Sequence, residues 1–151
     1  MRNLNLGLTP AQLEARKSSL GGSDANIIMS GKEDRILRLW QEKRGEAEPE
    51  DLSGILPVVM GQWTEGLNRY WYERQTGNLI TNEGEQHKHP KHKFMACTLD
   101  GLTLINPPHR KSAIFEAKHV NQFSKIDEVA QRYMPQLHHS MMVMGLQHAV
   151  L

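Results

Sequence analysis

The run Ala113-Ile114-Phe115-Glu116-Ala117-Lys118 constrains this chain more than any other feature. Apolar Ala113, Phe115 and Ala117 alternate with the positions between them, and a period of two marks a strand. Strand side chains change face at every residue, so Glu116 and Lys118 project together from one face. Upstream, Thr98-Leu99-Asp100-Gly101 puts a second acid at a turn signal, a hairpin's length away. The chain must therefore build a sheet that carries two carboxylates and an ammonium close to one another.

The surrounding pattern gives that sheet its partners. Pro10 opens a short helix through Lys17, capped by Thr9. Gly21-Gly22 breaks it, and Ser23 or Asp24 caps a new turn running to Met29. A third helix spans about 35–43, with apolar Ile36, Leu37, Leu39 and Trp40. Residues 45–54 carry four acids and a proline and read as an exposed loop. The clearest helix covers 57–77, where Val58, Val59, Trp63, Leu67, Tyr70 and Trp71 recur at helical spacing and Gly77 ends the run. Strands are expected at 79–81, 94–99, 102–105 and 113–118, with Asp100-Gly101 and Asn106-Pro107-Pro108 as turns. A last helix, kinked at Pro135, runs over about 127–144, and 149–151 reads as a strand beginning. Helices, a strand meander, a helix and a strand make an α/β or α+β fold: a central mixed sheet flanked by helices. The 151 residues fit one domain spanning 1–151.

Composition narrows the chemistry. Net charge is +1, so any nucleic-acid contact has to use a local patch. A single cysteine, Cys97, excludes an internal disulfide framework and a four-cysteine metal site, and its apolar neighbours mark it as a buried strand residue. The chain shows no signal peptide and no apolar run able to span a bilayer, which predicts a soluble intracellular protein with no membrane partner.

Glu65 lies on the 57–77 helix and, by itself, is an ordinary solvated residue. A Glu-x-Lys pair alone is also common and worth only ~0–1 kcal/mol as a surface ion pair. The case is joint: Glu65, Asp100 and Glu116 supply three carboxylates, with Lys118 beside them. Hard cations such as Mg²⁺, or Mn²⁺ in its place, take oxygen ligands, and the Ala117 backbone carbonyl adds one more. Metal ions neutralise a phosphodiester and lower the pKa of a bound water, while Lys118 orients or helps deprotonate that water. This combination points to a nuclease. Arg16 and Ser23, at a glycine-rich helix start, read as a holder for a terminal phosphate or as a plain cap and hinge. Gln136 reads as a hydrogen-bond partner of a metal ligand or of DNA, or as a polar residue on a helix face. His87, His89 and His92 invite a zinc reading, but Lys88, Lys91 and Lys93 repel a cation, so this segment reads as a basic loop contacting DNA phosphates. His138-His139 reads as serving packing or hydrogen bonding, not metal binding.

Arg16, Gly21-Gly22-Ser23-Asp24-Ala25, Gly61-x-x-x-Glu65, Thr98-Leu99-Asp100-Gly101, Glu116-Ala117-Lys118 and Gln136-Leu137-His138-His139 stand in the order found in the YqaJ-like viral recombinase family. The chain resembles this group of phage-type exonucleases, which includes lambda exonuclease, within the PD-(D/E)XK superfamily. The resemblance implies a Mg²⁺-dependent enzyme, with a pair of ions, that resects double-stranded DNA ends 5′→3′ and leaves 3′ overhangs for strand annealing. It implies Asp100 and Glu116 as metal ligands, Lys118 as the catalytic lysine, Glu65 as an acid near the metals and Gln136 as the active-site glutamine. Arg16 and Ser23 are similar to the 5′-phosphate pocket. It further implies a single-strand annealing protein as partner, a homo-trimeric ring, and a phage- or prophage-encoded protein in the bacterial host cytoplasm. Relatives continue past residue 151, so the C-terminal part of the family fold is expected to be missing. A structure-selective endonuclease on the same core, and a catalytically silent DNA-end-binding module, are the alternatives.

Overall fold

The computed structural model describes residues 10–105 and 110–151. The Thr9 cap and the Asn106-Pro107-Pro108 turn lie outside them. The elements are α1 (Pro10–Lys17), α2 (Gly22–Met29), α3 (Glu33–Lys43), α4 (Leu56–Thr76), β1 (Ile80–Thr81), β2 (Gln86–Lys88), β3 (Ala96–Thr98), β4 (Gly101–Ile105), β5 (Lys111–Phe115), α5 (Ile126–Met144) and β6 (Ala149–Val150). The main sheet has the order β1-β4-β5-β6, antiparallel except for the parallel β5–β6 pair, and β2–β3 form a separate two-stranded ribbon. This is the expected mixed sheet flanked by helices. No helix among the described residues is long and apolar enough to cross a membrane.

The strand at 113–118 is shorter than its alternation suggests. β5 ends at Phe115, and Glu116 to Lys118 continue beyond it. Ala113 and Ile114 are both completely buried, so both faces of β5 are covered. Such a strand need not alternate. Asp100-Gly101 is also not a turn between paired strands. β3 pairs with β2, β4 pairs with β1 and β5, and Asp100 lies where the chain leaves the ribbon for the main sheet. The β4–β5 hairpin still delivers the expected meeting of acids. Gly101 stands opposite Phe115, so Asp100 and Glu116 sit one residue outside that pair, at the open end.

A small core of Cys97, Leu99, Ile114 and Val143 joins the ribbon, the sheet and α5, with Met95, Leu102, Met141 and Leu146 packed around it. Burial pushes the Cys97 thiol up to about 11, which fits a structural residue and not a nucleophile. α4 faces the sheet with a different side from the one its apolar period marks. Thr64 is buried, the Tyr72 ring packs 5.2 Å from that of Phe115, and Glu73 accepts the Ile80 N–H at 2.7 Å. Trp63, Leu67, Tyr70 and Trp71 are more than half exposed, because no other described element covers that stripe. A polar inward face is what a helix needs when it overlooks a hydrated cleft.

Gly101 makes the junction possible. A Cβ there would lie 2.2 Å from Ile80 Cγ2 and 3.4 Å from the Thr81 carbonyl oxygen. Ile80 is buried and β-branched, so it cannot swing aside cheaply. Gly101→Ala is expected to cost about 1–3 kcal/mol in urea unfolding, the usual range for overpacking. A variant as stable as the parent would show that β1 and β4 are not pressed together here.

Candidate active site

Local geometry at the end of the β4–β5 hairpin brings Asp100, Glu116, Lys118 and Gln136 together. Glu116 is 3% exposed, a depth at which an acid must be paired. Lys118 Nζ donates to Glu116 Oε1 at 2.5 Å, and Gln136 Nε2 donates to the same oxygen. The Ala117 N–H donates to Asp100 Oδ2 at 2.8 Å, which ties the two strand ends across the hairpin mouth. The Tyr133 ring lies 5.2 Å from Lys118 Nζ and provides a cation–π contact.

The charges here oppose one another. Burial, and then the Asp100 charge, push the Glu116 carboxyl up to about 7. Burial, followed by the Glu65 charge, also raises Asp100, against the pull of Lys118 and the Ala117 N–H. For Lys118, burial acts downward, but the charge and hydrogen bond of Glu116 outweigh it and the net direction is up. Three carboxylates crowded so that two resist ionisation are the environment a divalent cation relieves, and their oxygens suit Mg²⁺ or Mn²⁺. Among the described residues, no three His, Cys, Asp or Glu side chains converge closely enough to enclose an ion unaided. Glu65 is set apart: its Oε1 accepts from Arg69 Nη1 at 2.6 Å, and Arg69 also pairs with Glu83. Asp100 and Glu116, the two acids with raised carboxyls, are therefore the side chains with the chemistry to hold such an ion.

Gln136 is held by a residue the sequence pattern did not mark. Asn26 Oδ1 accepts the Gln136 backbone N–H at 3.0 Å, and Asn26 Nδ2 donates to Gln136 Oε1 at 3.1 Å. That second bond turns the Gln136 amide so that its NH₂ meets Glu116. Gly22 allows the approach, since a Cβ there would lie 2.7 Å from Gln136 Cγ. Only the one-turn spacing from Gly22 to Asn26 on α2 hinted at this contact, and it becomes meaningful once α2 and α5 are known to touch.

Arg16 Nη2 donates to Ser23 Oγ at 3.0 Å, so the structure brings these two residues together. The α2 N-cap is Gly21, with Asp24 in the third helical position accepting the Gly21 N–H at 2.8 Å, so neither Ser23 nor Asp24 is the cap. Ser23 is thereby left in the first turn, exposed to a ligand. Lys43 completes the support, donating at 2.8 Å to both the Arg16 and Ser19 carbonyls and pairing with Asp24 at 2.7 Å. An open cleft of about 730 Å³ is lined by Arg16, Ser23, Glu65, Asp100 and Gln136. A second, of about 800 Å³, shares the last four and adds Lys118 and His119. The histidine-rich segment is not a simple loop: Gln86–Lys88 is strand β2, and only its continuation is a turn. His139 Nε2 lies within hydrogen-bond distance of the Ala96 carbonyl oxygen, at 2.9 Å.

With this geometry established, the likenesses to known proteins can be placed. Residues 12–147 match the YqaJ-like viral recombinase domain, and the chain belongs to that family. No curated protein matches the sequence. Among solved structures, an alkaline exonuclease (LHK-Exo) from Laribacter hongkongensis shares the fold, with a TM-score of 0.71 at 19% identity over 93% of this chain and 71% of the other. The structure of LHK-Exo in complex with dAMP superposes equally well, with a TM-score of 0.70 at 18% identity and the same coverage.

The raised Glu116 carboxyl has a measurable consequence. Between its ordinary range and about 7 the folded protein binds more protons than the unfolded chain, so stability must fall as pH rises through that window. In EDTA, the melting temperature is expected to drop by several degrees from pH 5 to pH 8, and Glu116→Gln is expected to flatten that slope. Mg²⁺ or Mn²⁺ should restore more stability at pH 8 than at pH 5. An unchanged slope in the variant would refute the assignment.

Proposed function

We propose that the chain is a metal-dependent deoxyribonuclease that degrades double-stranded DNA from a 5′-phosphorylated end and leaves a 3′ overhang. The observation that carries this reading is that two unlike sites adjoin: the cleft lined by Arg16 and the cleft lined by Lys118 share Ser23, Asp100 and Gln136. The buried Glu116–Lys118–Gln136 cluster with Asp100 suits phosphodiester hydrolysis, and the Arg16–Ser23 pair suits a terminal phosphate. An enzyme that cuts within a strand has no use for the second. LHK-Exo, an alkaline exonuclease by name and seen with dAMP, shares the fold that carries both.

Asp100, Glu116 and the Ala117 carbonyl would hold Mg²⁺, with Glu65 reached through water and a second ion alongside. When bound, the metal supplies charge neutralisation for the phosphodiester and a water of lowered pKa. Lys118, kept cationic by Glu116, orients the attacking water and offsets negative charge in the transition state, and does not act as the proton acceptor. Gln136, itself oriented by Asn26, fixes Glu116. The water oxygen bonds to phosphorus and gives up a proton to solvent, while the P–O3′ bond breaks and O3′ takes up a proton. The released nucleotide leaves with a 3′-hydroxyl, and the shortened strand begins with a new 5′-phosphate for the Arg16–Ser23 pair. The same reading takes residues 1–151 as a single nuclease domain in the host cytoplasm. It works with a single-strand annealing protein and assembles as a homo-trimer.

The test uses linear and covalently closed duplexes with Mg²⁺. Linear DNA is expected to shorten and closed circles to survive, whereas cutting of circles would favour an endonuclease. Lys118→Ala is expected to lower the rate at least about 10²-fold, in the range for losing a transition-state charge partner. Asn26→Ala should cost about 10–100-fold, as for a residue that orients a ligand. A 5′-hydroxyl end should be degraded more slowly than a 5′-phosphate by the parent, and equally by Arg16→Ala. Failure to cut either substrate would leave a DNA-end-binding module.

A further inference from the structure

The turn that joins β2 to β3 is built more firmly than a tether between two short strands requires. The His89 N–H donates to the Met95 carbonyl at 2.9 Å, and the Met95 N–H to the His92 carbonyl at 2.8 Å. His89 Nδ1 accepts the backbone N–H groups of Lys91 and His92, at 3.1 and 2.9 Å. Both contacts require Nδ1 to be unprotonated. Burial, aided by His92, Lys91 and Lys93, holds the His89 imidazole below its ordinary value. The rings then form a ladder, with His89 and His92 centroids 4.7 Å apart and His92 and Phe94 6.0 Å apart.

The last rung faces outward. Phe94 is 56% exposed and takes no part in the buried core. Lys91 and Lys93 on the same turn and Lys88 at the end of β2 are all exposed, none paired with a carboxylate among the described residues. A chain of net charge +1 thus places three cations within six residues of sequence. The turn is also fixed beside the cleft. The Leu20 N–H donates to the Phe94 carbonyl and the Ala96 N–H to the Leu20 carbonyl, only three residues before Ser23. His87 and Lys88 line the same cleft as Arg16 and Ser23.

From this placement we infer that the 89–94 turn is a stacking platform for single-stranded DNA, with an unpaired base lying on Phe94 and its flanking phosphates on Lys88, Lys91 and Lys93. An aromatic face accepts any base, and the lysines follow the backbone whatever its sequence. A duplex offers neither an open base face nor the flexibility to bend around a turn, so the platform selects the unpaired strand. This deepens the reading of the cleft as a site that opens DNA ends, because removing one strand leaves its complement unpaired at the rim. An acidic protein surface could pair with the lysines but would leave Phe94 without a role.

The experiment is binding, not cleavage. Fluorescence anisotropy of a dye-labelled oligothymidylate of about 12 nucleotides, within the usual site size, is measured with the full chain in EDTA. Phe94→Ala is expected to weaken binding about tenfold, while Phe94→Trp keeps the parent affinity. Replacing Lys88, Lys91 and Lys93 by Gln should weaken binding and flatten its salt dependence, by ~0.7 in slope per lost phosphate contact. Blunt duplex affinity should be insensitive to Phe94→Ala. Parent-like oligothymidylate binding by Phe94→Ala, or an equal loss on blunt duplex, overturns the platform. Loss in the lysine variant alone overturns it too, leaving a purely electrostatic surface such as one for an acidic protein. Because no metal is present, the outcome is independent of hydrolysis: a chain that binds through Phe94 but cuts nothing keeps the platform and loses the nuclease, and the converse holds.

Discussion

Burying the Glu116 carboxylate is the constraint on which the rest of this structure depends. A carboxylate 3% exposed is tolerable only with donors aimed at it, and here two donors converge on one oxygen. Lys118 reaches it from two residues along the same segment. Gln136 comes from α5 and therefore fixes how that helix lies over the sheet. Removing Lys118 would leave an uncompensated charge and removing Gln136 would cost a donor, and a divalent cation could stand in for either. The site thus holds the Glu116 carboxyl up at about 7 and Lys118 as a cation, a balance that a bound cation would shift.

That arrangement rests on a backbone decision made elsewhere. The β4–β5 register sets Gly101 opposite Phe115, and the residues just outside that pair are the two acids. A slip of one residue would send Asp100 and Glu116 to different faces. The absence of a Cβ at Gly101, where Ile80 presses in, holds β1 against β4 and so anchors the strand that begins right after Asp100.

The helices, the mixed sheet and the meeting of Asp100 with Glu116 were legible because they follow from short-range pattern: period, glycine stops and the spacing between two strands. The period and the glycine stop place the long helix α4 to within a residue, but they do not say which way its apolar stripe faces. Trp63, Leu67, Tyr70 and Trp71 form its apolar stripe and face outward, since the side turned to the sheet and cleft carries Thr64, Glu65 and Tyr72. Period identifies a face but not what lies opposite it. Strand β2 was missed because Gln86-His87-Lys88 has neither apolar alternation nor strand-favouring residues; its pairing with β3 is supplied from outside. Asn26 was invisible for the same reason, being 110 residues from Gln136 in the chain.

α2 links these parts. Its first turn carries Ser23, paired with Arg16, and one turn later Asn26 grips Gln136. Eight residues of regular helix therefore set the separation between the proposed end-phosphate holder and the group that positions Glu116. Ser23 and Asn26 are three residues apart, a rise of about 4.5 Å along the helix. Lys43 locks the ruler at its start by placing its three donors on the Arg16 carbonyl, the Ser19 carbonyl and Asp24. An ammonium has three protons, and all three are used across the α1–α2 junction. Rigidity at that junction is what an end-dependent enzyme requires, because a terminal phosphate that can drift specifies no bond to cut. Under the proposed function, the separation between the Arg16–Ser23 pair and Gln136 is set by regular helix, and a surface loop would not have fixed it.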